Sequence, residues 1–146
     1  MTPAAPPELA DHPLRIAILV QWGDQDCFGH VNNVVNFRWM ESARMAYFAR
    51  LELAMTNDGA GPILASIKCD FRRQLNFPDT VQISASVTRI GRTSLSMAHR
   101  IYSEAQRAIV SEGESVIVMF DYTVQKPTPV PEIVRAKIEA LEGRTV

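Results

Sequence analysis

The stretch WGDQDCFGHVNNVVNFRWMESAR, residues 22–44, decides the fold. Its first part, Trp22 to His30, is a polar loop with glycines at positions 23 and 29. Its second part opens the longest helical pattern in the chain, running from about Asn32 to Leu53. Phe37, Met40, Ala43, Tyr47, Phe48 and Leu51 recur at steps of three and four, which makes an apolar stripe along one side of a helix. Arg38, Glu41, Ser42 and Arg50 lie on or beside the other side. Asn32 or a neighbour suits the N-cap, because its short polar side chain can accept from the first unpaired backbone N–H groups. Turn formers at 54–61 end the helix. A helix this long with one wide apolar face has to bury that face against something.

The rest of the chain supplies a sheet. Upstream, residues 14–22 read as an aliphatic strand. Downstream, residues 63–73 form a strand that turns at Asn76-Phe77-Pro78-Asp79. Residues 80–90 alternate, with Val81, Ile83, Ala85 and Val87 on one face and Gln82, Ser84, Ser86 and Thr88 on the other. After the tight turn at Gly91-Arg92, residues 94–103 alternate again. Residues 108–124 make the last strand, with a bulge or bend expected at Gly113. Short links between these strands imply antiparallel pairing. The predicted class is therefore α+β, one curved antiparallel sheet wrapped around one long helix. Four of the nine prolines fall in residues 1–13 and three in 127–131, so regular structure is confined between them. The expected division is a loose Pro-rich tail over 1–13, one domain over 14–126, and an extension over 127–146 with a short helix at 131–141.

Composition narrows the function. The 146 residues carry 15 Lys+Arg against 16 Asp+Glu, a net charge of -1, so no basic excess attracts nucleic acid. Hydrophobic residues make up 47%, enough for a packed core and too many for a disordered chain. The longest aliphatic runs, Ile16–Val20 and Val116–Phe120, are far short of a membrane span. The first 13 residues lack the basic start and apolar centre of a signal peptide. Two cysteines, Cys27 and Cys69, make no disulfide framework. The expectation is a cytoplasmic protein. No metal-ligand spacing, phosphate-binding loop or dinucleotide glycine pattern occurs.

The chemistry concentrates at the loop before the helix. It places two carboxylates, a histidine and two amides where a helix start presents unpaired N–H groups and the positive end of the macrodipole. Such donors can stabilise a developing oxyanion, and a carboxylate beside them can act as general base or nucleophile. Asp, Asn and Gly before a helix are also ordinary loop and cap residues, and the spacing alone leaves both readings open.

The longer pattern goes further. Trp22-Gly23-Asp24, Asp26, Gly29-His30-Val31-Asn32-Asn33 and Glu41-Ser42-Ala43-Arg44 resemble the signature of the 4-hydroxybenzoyl-CoA thioesterase-like acyl-CoA thioesterases, of the hotdog superfamily. The resemblance covers about residues 14–125. It implies a sheet wrapped around a helix and hydrolysis of an acyl-CoA thioester to a carboxylic acid and CoA, with no cofactor and no metal. It implies Asp26 as base or nucleophile and the backbone N–H of Asn33 as oxyanion donor, with His30 in or beside the catalytic group. Gly29, Asn32 and Asn36 are expected at the substrate. Arg89 and Arg92, or Arg72, are expected to hold the CoA phosphates, since guanidinium binds phosphate in bidentate geometry. Relatives often have Tyr where this chain has Asn36. Hotdog hydratases carry Asn-Pro after the aspartate, whereas Cys27-Phe28 follow Asp26 here. His99, alternating with Leu95 and Met97, reads as an inward core histidine. The resemblance also implies a homodimer or a dimer of dimers. The other reading is a protein that binds acyl-CoA or an acyl-carrier thioester without turnover.

Overall fold

The computed structural model describes residues 4–146. In chain order the elements are β1 (Leu14–Leu19), α1 (Asn33–Arg50), β2 (Ala60–Phe71), β3 (Thr80–Ile90), β4 (Ser94–Ser103), β5 (Ala108–Asp121), β6 (Lys126–Pro127) and α2 (Glu132–Glu142). All strand pairs are antiparallel, in the order β1-β3-β4-β5-β2, with β6 turned back on the end of β5. α1 packs on β3, β1 and β4. This is the hotdog arrangement of a curled sheet around a helix.

The helix forms where its pattern indicates. Asn32 is the N-cap, its side chain accepting from the Val34 N–H at 2.9 Å. Met40, Ala43, Tyr47, Phe48 and Leu51 are buried against the concave face of the sheet. Phe37 sits at the margin, with its ring edge-on to Phe71. Trp39, Asn36 and Arg44 join the buried side, so the stripe is wider and more polar than the aliphatic spacing indicates.

Gly113 is neither a bulge nor a bend. It lies in regular register between His99 and Cys69, and the irregularities of β5 pairing fall elsewhere, at Leu64/Ser66 and Ile101/Tyr102. The glycine is needed because α1 comes close: a Cβ there would lie 2.6 Å from the Met40 Sδ and 2.9 Å from the Lys68 carbonyl oxygen.

β3 alternates as its sequence suggests, yet both faces are buried. Gln82, Ser84 and Ser86 are hidden along with Val81, Ile83, Ala85 and Val87. The cover comes from the chain ends. The stretch expected as a loose tail is docked over its described part: Leu9 is buried, the Arg100 guanidinium donates to Asp11 and to the Glu8 carbonyl, and His12 bonds the Ser84 hydroxyl. Residues 1–3 lie outside the described residues. At the other end α2 buries Val134 and Ile138 and staples three elements. Lys137 donates to the Leu51 carbonyl at the end of α1, and Arg135 donates to the Gly91 carbonyl in the β3–β4 turn. β1 pairs with β3 only as far as Ala85, which leaves Val87 on an open edge. The buried Glu142 carboxylate accepts from the Val87 N–H, the Ser86 hydroxyl and the Tyr47 hydroxyl, while Arg144 donates to the Val87 carbonyl. Open strand edges are commonly covered in this way.

Candidate active site

The loop before α1 is a small closed hairpin. Gln25 pairs with Val31, and the Asp26 N–H donates to the His30 carbonyl at 2.9 Å. Gly29 turns the tip at φ 82°, where a side chain would be strained. Its N–H donates to the Asp26 carbonyl, and its own carbonyl accepts from the Asn76 amide. Gln25 and Val31 are further tied to Phe77 and Leu75 of the β2–β3 connection. The loop is thus held on one side by the helix and on the other by that connection.

Its two aspartates are placed differently. Asp24 is 7% exposed; it accepts from the Gln21 N–H at 2.8 Å and from the Arg38 guanidinium at 3.2 Å. It shapes the loop, as its position before the hairpin suggests. Asp26 is half-buried at the rim of a cleft. Its Oδ1 accepts from the Phe28 N–H at 2.9 Å, and its Oδ2 has no hydrogen-bond partner among the described residues.

The cleft holds about 480 Å³. Asp26, His30 and Asn33 line it together with Phe28, Val31 and Asn36. Phe71, Arg72, Arg73, Gln74 and Leu75 close the opposite wall. Asn33 is the first residue of α1, and its N–H has no hydrogen-bond partner among the described residues. The cleft therefore brings together Asp26, His30 and the first residue of α1. This pattern can activate water and stabilise an oxyanion.

Other predicted residues fall outside it. Asn32 caps the helix and does not line the cleft, and Gly29 builds the loop tip. Arg89, in the last residues of β3, and Arg92, in the β3–β4 turn, are exposed at the far end of an 11-residue strand, which is about 36 Å at roughly 3.3 Å per residue. This chain does not bring them to its own cleft. Arg72 does line it, but its guanidinium is paired with Glu112 at 3.3 Å. Arg73, beside it, makes no side-chain hydrogen bond or ion pair among the described residues. The sequence offered Arg72 as a phosphate holder and marked Arg73 only as a strand end. Nothing in its local pattern shows that the turn at Pro78 folds this stretch against the loop.

His99 is buried as expected, its Nε2 bonded to the Ser115 hydroxyl at 2.9 Å. Burial and the nearby Arg44 charge lower its pKa to about 4. Cys27 is exposed and Cys69 half-buried, and both are free thiols. Among the described residues no three His, Cys, Asp or Glu side chains form a metal site, and no helix is long and apolar enough to cross a membrane.

Comparison with known proteins agrees with this architecture. The chain is similar over 94% of its length to 99% of a thioesterase from Thermus thermophilus, whose crystal structure contains coenzyme A and zinc; identity is 30% and the TM-score 0.83. The PA2801 protein of Pseudomonas aeruginosa is likewise 30% identical, covering 87% of this chain and 98% of its own, with a TM-score of 0.80. The uncharacterized protein YsmA of Bacillus subtilis (strain 168) is 31% identical over 80 residues. That match covers 55% of this chain and 54% of YsmA, so the chain spans about half the length of the curated relative it matches. The family model for the thioesterase-like superfamily matches residues 20–138. With that match spanning the loop, the wrapped helix and every strand that builds the cleft, the chain belongs to the thioesterase-like superfamily.

Proposed function

We propose that this protein is an acyl-CoA thioesterase, hydrolysing the thioester to a carboxylic acid and CoA at the Asp26 cleft. The observation that carries the reading is the pairing of Asp26 with the N-terminus of α1 on one cleft. Asp26 keeps one carboxylate oxygen free, and Asn33 keeps its N–H free, on the same walls. In the favoured sequence Asp26 takes a proton from water as that water attacks the thioester carbonyl carbon. The carbonyl oxygen becomes an oxyanion, which the Asn33 N–H and the helix dipole stabilise. The C–S bond then breaks, and the sulfur leaves as the thiol with the proton returned through Asp26. A general base contributes about 10²–10⁴-fold, and one oxyanion donor about 2.7–4 kcal/mol of barrier. Direct attack by Asp26 would use the same placement and pass through a mixed anhydride.

Coenzyme A as the carrier is supported by Arg73. Arg73 lines the cleft and is exposed, and its guanidinium is unpaired among the described residues, so a diphosphate could meet it there. A second copy of the chain is supported by β2, an edge strand of 12 residues on which Ile63, Leu64 and Phe71 are exposed. Phe71 also walls the cleft, so pairing along β2 would cover the open side of the site. The reading is of a cytoplasmic homodimer or homotetramer.

The test is thiol release from a panel of acyl-CoAs by the purified wild type. Turnover on at least one ester is the expected result. Tight binding of several esters with no thiol released would favour a non-catalytic acyl-thioester binding protein.

A further inference from the structure

Arg73 and Gln74 border the Asp26 cleft, and the same two residues border a second groove of about 510 Å³. Asn76, Pro78 and Asp79 of the β2–β3 connection line that groove, together with Ala105 and Gln106 of the β4–β5 turn. The groove is a built seam. The Gln106 amide donates to the Gln74 carbonyl at 2.7 Å. Asp79 accepts from the Ala105 N–H at 3.0 Å with one oxygen and from the Ser103 hydroxyl with the other. These bonds hold the two turns together and engage both oxygens of the one acid that lines the groove. On the ridge between cleft and groove, the Arg73 N–H donates to the Val110 carbonyl at 3.0 Å. That bond pins its backbone, while its guanidinium has no partner among the described residues. Past the ridge, the Gln74 amide, the Asn76 Oδ1 and the Gln106 Oε1 are also without a hydrogen-bond partner among the described residues. A free cation followed by uncommitted carboxamides suits a ligand that is anionic in its middle and carries neutral hydrogen-bonding groups at its far end.

We propose that this second groove seats the nucleotide end of coenzyme A while the thioester lies in the Asp26 cleft. This rests on the thioesterase reading above. In an acyl-CoA the thioester is followed by pantetheine, then a diphosphate, then a phosphorylated adenosine. Arg73 on the ridge meets the diphosphate, for which guanidinium is suited by its bidentate geometry. The adenine presents ring acceptors and an amino donor, which carboxamides match because each carries a carbonyl oxygen and an NH₂ group. A thioester on a carrier protein has a single phosphate and no nucleotide, and it would leave the groove empty. The groove therefore selects free CoA esters over carrier-bound ones, and it leaves the bond-breaking chemistry to Asp26.

The experiment compares kcat/KM for one acyl group carried on CoA and on pantetheine, in wild type, Arg73→Ala and Ala105→Trp. Ala105 is exposed in the groove and does not line the cleft, so tryptophan there fills the groove alone. Its backbone bond to Asp79 survives the substitution. Wild type is expected to favour the CoA ester by about 10-fold or more, the size of a charge-assisted hydrogen bond. Both variants should bring that ratio toward one. Adenosine 3′,5′-bisphosphate, the nucleotide end by itself, should bind wild type in calorimetry and bind Ala105→Trp about 10-fold more weakly. Three results overturn the proposal: no preference for the CoA ester in wild type, a ratio that Ala105→Trp leaves unchanged, or no weakening of bisphosphate binding by Ala105→Trp. Absence of turnover on every ester would instead sink the thioesterase reading, and the bisphosphate titration would then decide the groove on its own.

Discussion

Asp24 and Asp26 are two residues apart and chemically identical, yet only one is free for a substrate. Asp24 holds the Gln21 N–H and the Arg38 guanidinium in a buried position, whereas Asp26 leaves one oxygen open to the cleft. The motif places both acids in the loop; their division of labour depends on the turn of backbone between them. The same holds for the arginines. Composition shows that guanidinium is plentiful, but contact with the site depends on how the β2–β3 connection folds, which brings in Arg72 and Arg73 and leaves Arg89 and Arg92 on the far turn. His99 was legible as a core residue from its alternation with Leu95 and Met97, but its neighbour Arg44 was not. That environment has a measurable consequence. Burial, with the Arg44 charge second, lowers the His99 pKa from 6.5 to about 4. The unfolded chain therefore takes up a proton that the folded chain refuses. Stability from this residue is present above about pH 6.5 and is lost as pH falls toward 4, by about 3 kcal/mol in all. Burial also lowers the pKa of His12, which adds a loss of the same sign. Urea unfolding at pH 7 and pH 4.5 should show His99→Gln losing less stability than wild type over that interval; equal losses would contradict the assignment.

Among the elements, α1 was the most legible, because its cap and its apolar spacing agree and both survive in the structure. The strands β3 and β4 were legible from strict alternation between well-marked turns. Alternation did not show that the polar face of β3 is covered as well, since the cover comes from residues far away in the chain, at Leu9, His12 and Glu142. Gly113 teaches a similar lesson. A glycine inside a strand signals a bulge or a close approach, and only the position of Met40 decides between them. Adding one methyl group should force α1 away from β5. Gly113→Ala is expected to destabilise the fold by about 1–3 kcal/mol, read as a lower urea midpoint with an unchanged slope. A midpoint equal to that of wild type would show that the helix yields at no cost.

For the whole molecule, the open edge at β2 matters most. It is long, partly apolar and contiguous with the cleft through Phe71. Such edges invite pairing with another chain. Light scattering after size exclusion should give a mass of twice 16.3 kDa or a multiple of that; a stable monomer at micromolar concentration would contradict the paired edge. The central claim is chemical, and it turns on Asp26. The most direct measurement is steady-state thiol release by wild type and Asp26→Asn on the best ester of the panel, with matched circular dichroism to show that both are folded. The account predicts a fall in kcat of about 10²-fold or more, since a general base contributes about 10²–10⁴-fold. Retention of full activity by the folded Asp26→Asn protein would contradict it.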